Sequence, residues 1–83
     1  MPLFMDVHNK IPSDANAQAV ADAHASDLRV QDKYHVRYVN YWLDEANGKI
    51  FCLVEAPDAE SAHAVHREAH GLVADDIYRV EQG

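Results

Sequence analysis

Six histidines and a single cysteine occur within 83 residues, and His63, His66 and His70 stand at i, i+3 and i+7 of one predicted helix. An α-helix turns once in about 3.6 residues, so this spacing stacks three imidazoles along one side. Imidazole and thiolate ligate borderline and soft transition metals, which makes metal binding the first chemistry to consider. His66 and His70, at i and i+4, can converge on one ion as in helical zinc sites, although no Glu follows the first histidine as zinc-protease chemistry requires. The plain alternative is a solvated histidine stripe, in which His63 is the most expendable member.

Two further groups of donors come from other elements. His24 sits four residues after Val20 and four before Leu28, on the expected apolar face of a first helix, where its ring needs either a hydrogen-bond partner or a metal. Cys52, read as inward with Ile50 and Val54, would lie on a strand between His24 and His66. Asp6 and His8 share one face of a first strand, and Glu55 is expected on the same side of the sheet; such oxygen and imidazole donors suit a harder or borderline cation. The nitrogen and sulfur donors suit Ni²⁺, Zn²⁺ or Cu²⁺, among which spacing does not choose.

Those residues are useful only if the chain brings them together. Leu3 to His8 alternates Leu3, Met5 and Val7 against Phe4, Asp6 and His8, the period of a strand. Pro12-Ser13-Asp14 supplies a breaker and an N-cap for a helix to about Asp32, with Ala17, Val20, Ala21 and Leu28 as its apolar face. Tyr34 to Asp44 and Lys49 to Ala56 read as strands joined by a tight Asn47-Gly48 turn. Asp58 caps a second helix with Ala59, Ala62, Val65 and Ala69 on its apolar side, closed by Gly71, and Asp76 to Glu81 forms a last strand. The order βαββαβ predicts an α+β ferredoxin-like sandwich: a four-stranded antiparallel sheet with two helices on one face, in a single domain over 1–83. His8, Cys52 and His70 then gather at one end. The other sheet face stays open, carrying Phe4 and hairpin side chains, and a second copy covering it predicts a homodimer.

Composition narrows the function classes. Fourteen acidic against seven basic residues give a net charge of −7 without a basic cluster, which disfavours nucleic acid as a partner. Apolar residues are 48% of the chain, yet the longest apolar runs, such as Ile50 to Val54, fall far short of the ~20 residues a bilayer requires. The start of the chain lacks the features of a signal peptide, and one cysteine cannot form an internal disulfide, so the expected location is cytoplasmic. There is no Gly-rich phosphate loop, nucleophile elbow or CxxC pair. The rival to metal binding is a dimeric α/β-barrel enzyme or small-molecule binder, with Tyr34, Tyr38, Tyr41 and Trp42 lining a pocket and the histidines as acid–base groups.

Several strings carry a family likeness: Phe4-Met5-Asp6-Val7-His8, Ala23-His24-Ala25-Ser26-Asp27-Leu28 with Gln31, Tyr41-Trp42-Leu43-Asp44-Glu45, Phe51-Cys52-Leu53-Val54-Glu55-Ala56-Pro57, and His66-Arg67-Glu68-Ala69-His70-Gly71. Together they resemble a bacterial family known as a domain of unknown function, one branch of which is a nickel-binding, ferredoxin-like protein of actinobacteria. The resemblance spans nearly the whole chain. It implies a small homodimer that binds Ni²⁺, with no established catalytic activity. The matching positions able to ligate are Asp6, His8, His24, Cys52, Glu55, His66 and His70.

Overall fold

In a computed structural model that describes residues 1–11 and 16–83, the chain forms β1 (Leu3–His8), α1 (Ala17–Val30), a 3₁₀ turn (Gln31–Tyr34), β2 (Arg37–Asp44), β3 (Lys49–Glu55), α2 (Ala59–Ala69) and β4 (Asp76–Val80). The strands are antiparallel in the order β2-β3-β1-β4, and both helices pack on one face, as the ferredoxin-like reading expects. No helix among the described residues is long and apolar enough to cross a membrane.

Local chemistry sets the element ends. The expected cap at Ser13-Asp14 lies outside the described residues; Asn16 caps α1, its side chain accepting from the Ala19 amide at 2.9 Å. Asp58 caps α2 as expected, accepting from the Ser61 amide at 2.8 Å. Gly71, at φ 82°, donates its amide to the His66 carbonyl and ends that helix in the left-handed conformation glycine favours. The second strand starts three residues later than its β-rich composition predicts. Tyr34 belongs to the 3₁₀ turn, which His35 closes at φ 58°, so the chain becomes extended only after it.

The core joins Phe4 of β1, Tyr38 of β2 and Cys52 and Val54 of β3 to Ala62 and Val65 of α2. Phe4, Asp6 and His8 therefore face the helices, which corrects the expectation that Phe4 would sit on the open face and that Asp6 and His8 would form a site there. Alternation could not decide between the faces, because Leu3, Met5 and Val7 are as apolar as a core stripe. Polar partners decide it: Asp6 is fully buried but meets His66 and Tyr38. Asp6 pairs with Cys52 across the sheet, whereas Glu55 pairs with Leu3 and lies on the other face, apart from Asp6 and His8.

A β-bulge in β2 matters for the same reason. Tyr38 pairs with Val54 and Asn40 with Leu53, so Val39 is the extra residue and Tyr38 and Tyr41, three apart, both turn inward. The Gln31 side-chain oxygen accepts the Tyr38 amide at 2.9 Å beside this irregularity. On α1 the inward face is Val20, His24 and Asp27, while Leu28 is 43% exposed, against expectation. Seven residues return a helix to within about 20° of its starting direction and eight overshoot it by about 80°, so Asp27 lies beneath Val20 and Leu28 does not.

Candidate metal centre

α2 supplies the middle of the site. His66 sits one position beyond the core residue Val65, is 1% exposed, and projects between β1 and α1. Its Nδ1 lies 2.9 Å from Asp27 Oδ1, and its Nε2 lies 3.0 Å from Asp6 Oδ2. Thus each ring nitrogen meets a buried carboxylate. The Tyr38 hydroxyl, 3.0 Å from Asp6 Oδ2 and 3.1 Å from the Ala62 carbonyl, donates between those acceptors and fixes the Asp6 side chain. His70, one turn after His66, places Nε2 3.1 Å from Asp27 Oδ1 and 3.2 Å from His66 Nδ1.

Electrostatics follow from this packing. Burial alone would lower the His66 pKa, but hydrogen bonds and charge from Asp27 and Asp6 overcome it and push it up to about 9. Burial would raise both carboxylates; their bonds to His66, with the neighbouring His8 ring for Asp6 and the His70 bond for Asp27, hold them below the ordinary carboxylate range. Below pH 9 and without an ion, His66 is an imidazolium between two carboxylates, and the trio carries one net negative charge. Burial, reinforced by Asp6, pushes the Cys52 thiol and the Tyr38 hydroxyl well up, so both stay protonated there.

Two donor groups meet at His66. Asp27, His66 and His70 form one; Asp6, His8, Cys52 and His66 form the other, their ligand atoms all within 4.8 Å of one another in each group. A cavity of about 100 Å³ opens beside them, bounded by residues including Val20, His24, Tyr41, Ile50 and Leu72. His24 stacks against Tyr41, ring centroids 4.7 Å apart, and lines this cavity without entering either group. His63 and Glu55 also belong to neither.

Asp27 is the member that the histidine-centred reading passed over. Its signal was present: Val20, His24 and Asp27 at i, i+4 and i+7 define one face, and an acid on the inward face of a helix must have partners.

The Asp27, His66 and His70 donors suit a transition metal. Their three separations, 2.9, 3.1 and 3.2 Å, form a compact triangle. Ligands about 2.1 Å from an ion lie about 3.0 Å apart at right angles and about 3.4 Å apart at the tetrahedral angle, so the triangle matches one face of a six-coordinate sphere. Without an ion, the His66 Nδ1 and His70 Nε2 protons, both donated to Asp27 Oδ1, hold two edges of the triangle. One adjustment is needed: the Leu72 amide donates to His70 Nδ1 at 3.1 Å, which leaves the proton of a neutral ring on Nε2. Coordination through Nε2 requires that proton to move and the Leu72 bond to be given up, at small cost because Leu72 is exposed.

Fold and donors together define a ferredoxin-like domain with a buried carboxylate–histidine cluster whose donor atoms could hold a metal ion. The chain belongs to the nickel responsive protein SCO4226-like family, whose model matches residues 4–80. The crystal structure of SCO4226 from Streptomyces coelicolor A3(2) is similar to it over 98% of both chains, with 37% identity and a TM-score of 0.89. No curated protein sequence matches significantly.

Proposed function

We propose that this protein binds Ni²⁺, or a neighbouring divalent cation such as Zn²⁺ or Cu²⁺, through Asp27 Oδ1, His66 Nδ1 and His70 Nε2, and serves to buffer, store or sense it. The observation that carries the reading is the three-donor triangle with its 2.9 to 3.2 Å edges. Membership of a family described as nickel responsive supports the choice of metal. Bound there, a metal would supply a Lewis-acidic centre. The protein's own part is to orient the donors. Asp6 accepts the His66 Nε2 proton and is itself held by Tyr38, an arrangement that presents the Nδ1 lone pair to the ion.

The working unit is a cytoplasmic homodimer. The sheet face opposite the helices carries Leu3, Met5, Val7, Phe51, Leu53, Trp42 and Tyr78, with Trp42 49% and Tyr78 56% exposed. A continuous apolar face of this kind is suited to burial against its own copy, and a buried free thiol at Cys52 is compatible with a reducing compartment. Equilibrium dialysis of protein without a histidine tag against Ni²⁺ tests the metal assignment. Loss of the ion held by the triad in Asp27→Asn and His70→Ala is the expected result; absence of binding at neutral pH, or stoichiometry and affinity unchanged in both variants, overturns it.

A further inference from the structure

The second donor group, on the other side of His66, is not used by the triad. Asp6 Oδ1 is buried and has no hydrogen-bond partner among the described residues, although Asp6 is 0% exposed and charged. Leaving such an oxygen unpaired forfeits the solvation of a charged group, and every other polar contact of Asp6 goes to Oδ2 or is long. The closest is His8 Nε2, at 3.5 Å from Oδ1. His8 lies two residues along β1 on the same face, its ring edge-on to His66 with centroids 5.0 Å apart, and it is itself buried. Cys52 is the β3 residue paired with Asp6, so its thiol points to the same side of the sheet.

We infer that Asp6 Oδ1, His8 Nε2 and Cys52 Sγ form a second, thiolate-containing position for a borderline divalent cation, linked to the triad through the His66–Asp6 hydrogen bond. The inference rests on the metal-binding reading above and extends it from one ion to two. The positions are compatible because they use different atoms. His66 offers Nδ1 to the outer ion and keeps its Nε2 proton on Asp6 Oδ2; Asp6 then has Oδ1 left for the inner ion. Each ion displaces protons to solvent, the outer one from His66 Nδ1 and the inner one from the Cys52 thiol, with no change of oxidation state. Carboxylate and thiolate together cancel the inner cation's charge, which permits its burial among core residues. The mixed oxygen, nitrogen and sulfur donors select the Co²⁺ to Zn²⁺ range over Mg²⁺ or Ca²⁺.

Titration of the tag-free full chain with Co²⁺ tests this, read as metal per chain by native mass spectrometry and as the near-ultraviolet thiolate-to-cobalt charge-transfer absorption. Two ions per chain with the charge-transfer band are expected. Cys52→Ser should lose the band and one ion, and His70→Ala should keep the band while losing the other ion. One ion per chain with no band at saturating Co²⁺ overturns the inner position and leaves the triad standing. One ion with a band that His70→Ala and Asp27→Asn leave untouched overturns the triad and leaves the inner position. A band abolished by His70→Ala shows that sulfur joins the outer ion, which also overturns a separate position. Because the wild-type band decides the main point, a variant that fails to fold does not rescue the inference.

Discussion

Raising the pH of the metal-free protein from 6 to 8.5 should remove about 2 kcal/mol of its stability, and His66 should account for the change. The folded-state pKa of His66 is raised from 6.5 to about 9 by Asp27 and Asp6 after burial is overcome. A group raised in this way stabilises the fold fully below its unfolded value near 6.5, and that contribution disappears as pH rises through 9. At about 1.4 kcal/mol per unit, the whole contribution is about 3 kcal/mol, most of which is lost within the stated window. The ring is almost fully buried, so solvent screening takes little from it. Asp6 and Asp27, both lowered, contribute above the ordinary carboxylate range and weaken the fold only as pH falls below it, so they are silent between pH 6 and 8.5. Cys52 and Tyr38, both raised, act only above about pH 9, where the unfolded groups ionise. For a domain this small, 2 kcal/mol corresponds to a melting temperature lower by about 10 °C. Circular-dichroism melts in the presence of a chelator measure it. A flat profile between pH 6 and 8.5, or a slope that survives in His66→Gln, refutes the reasoning.

Other consequences follow from the same geometry. Asp6→Asn should weaken Ni²⁺ binding at the triad about 10- to 100-fold by calorimetry, because the carboxylate that orients His66 is lost even though it does not touch that ion; unchanged affinity would show that His66 needs no such support. Metal loading should speed hydrogen exchange of the Leu72 amide, since His70 Nδ1 can no longer accept from it; unaltered exchange in a loaded protein argues against coordination through His70 Nε2. Leu53→Glu on the open sheet face should give a monomer in light scattering with the fold retained, and a persistent dimer would place the interface elsewhere.

The chain order of elements was legible because breakers and caps such as Asp58, Asn47-Gly48 and Gly71 announce themselves locally. The inward face of β1 was not. Leu3, Met5 and Val7 offer as good an apolar stripe as Phe4 does, and only the partners on α2 and β2 show why Asp6 and His8 are buried. Tyr38 and Tyr41 share a face through a bulge at Val39 that no residue type marks. For the site, His66, His70, His8, Cys52 and Asp6 were all named from the sequence, with His8, Cys52 and His70 gathered at one end, but Asp6 and His8 were also grouped with Glu55, which lies on the other face. Asp27 was hidden by its neighbour Leu28, which imitates an apolar helix position one residue too late. A stripe reading weights hydrophobicity; the helix angle places the acid inside.

Metal binding by Asp27, His66 and His70 stands or falls on where the ion sits. An anomalous difference map recorded at the nickel absorption edge, from crystals of tag-free protein grown with Ni²⁺, addresses it directly. A peak is expected within coordination distance of Asp27 Oδ1, His66 Nδ1 and His70 Nε2. A map in which nickel occupies surface groups only, with His66 still bridging Asp27 and Asp6 by its two N–H groups, would contradict it.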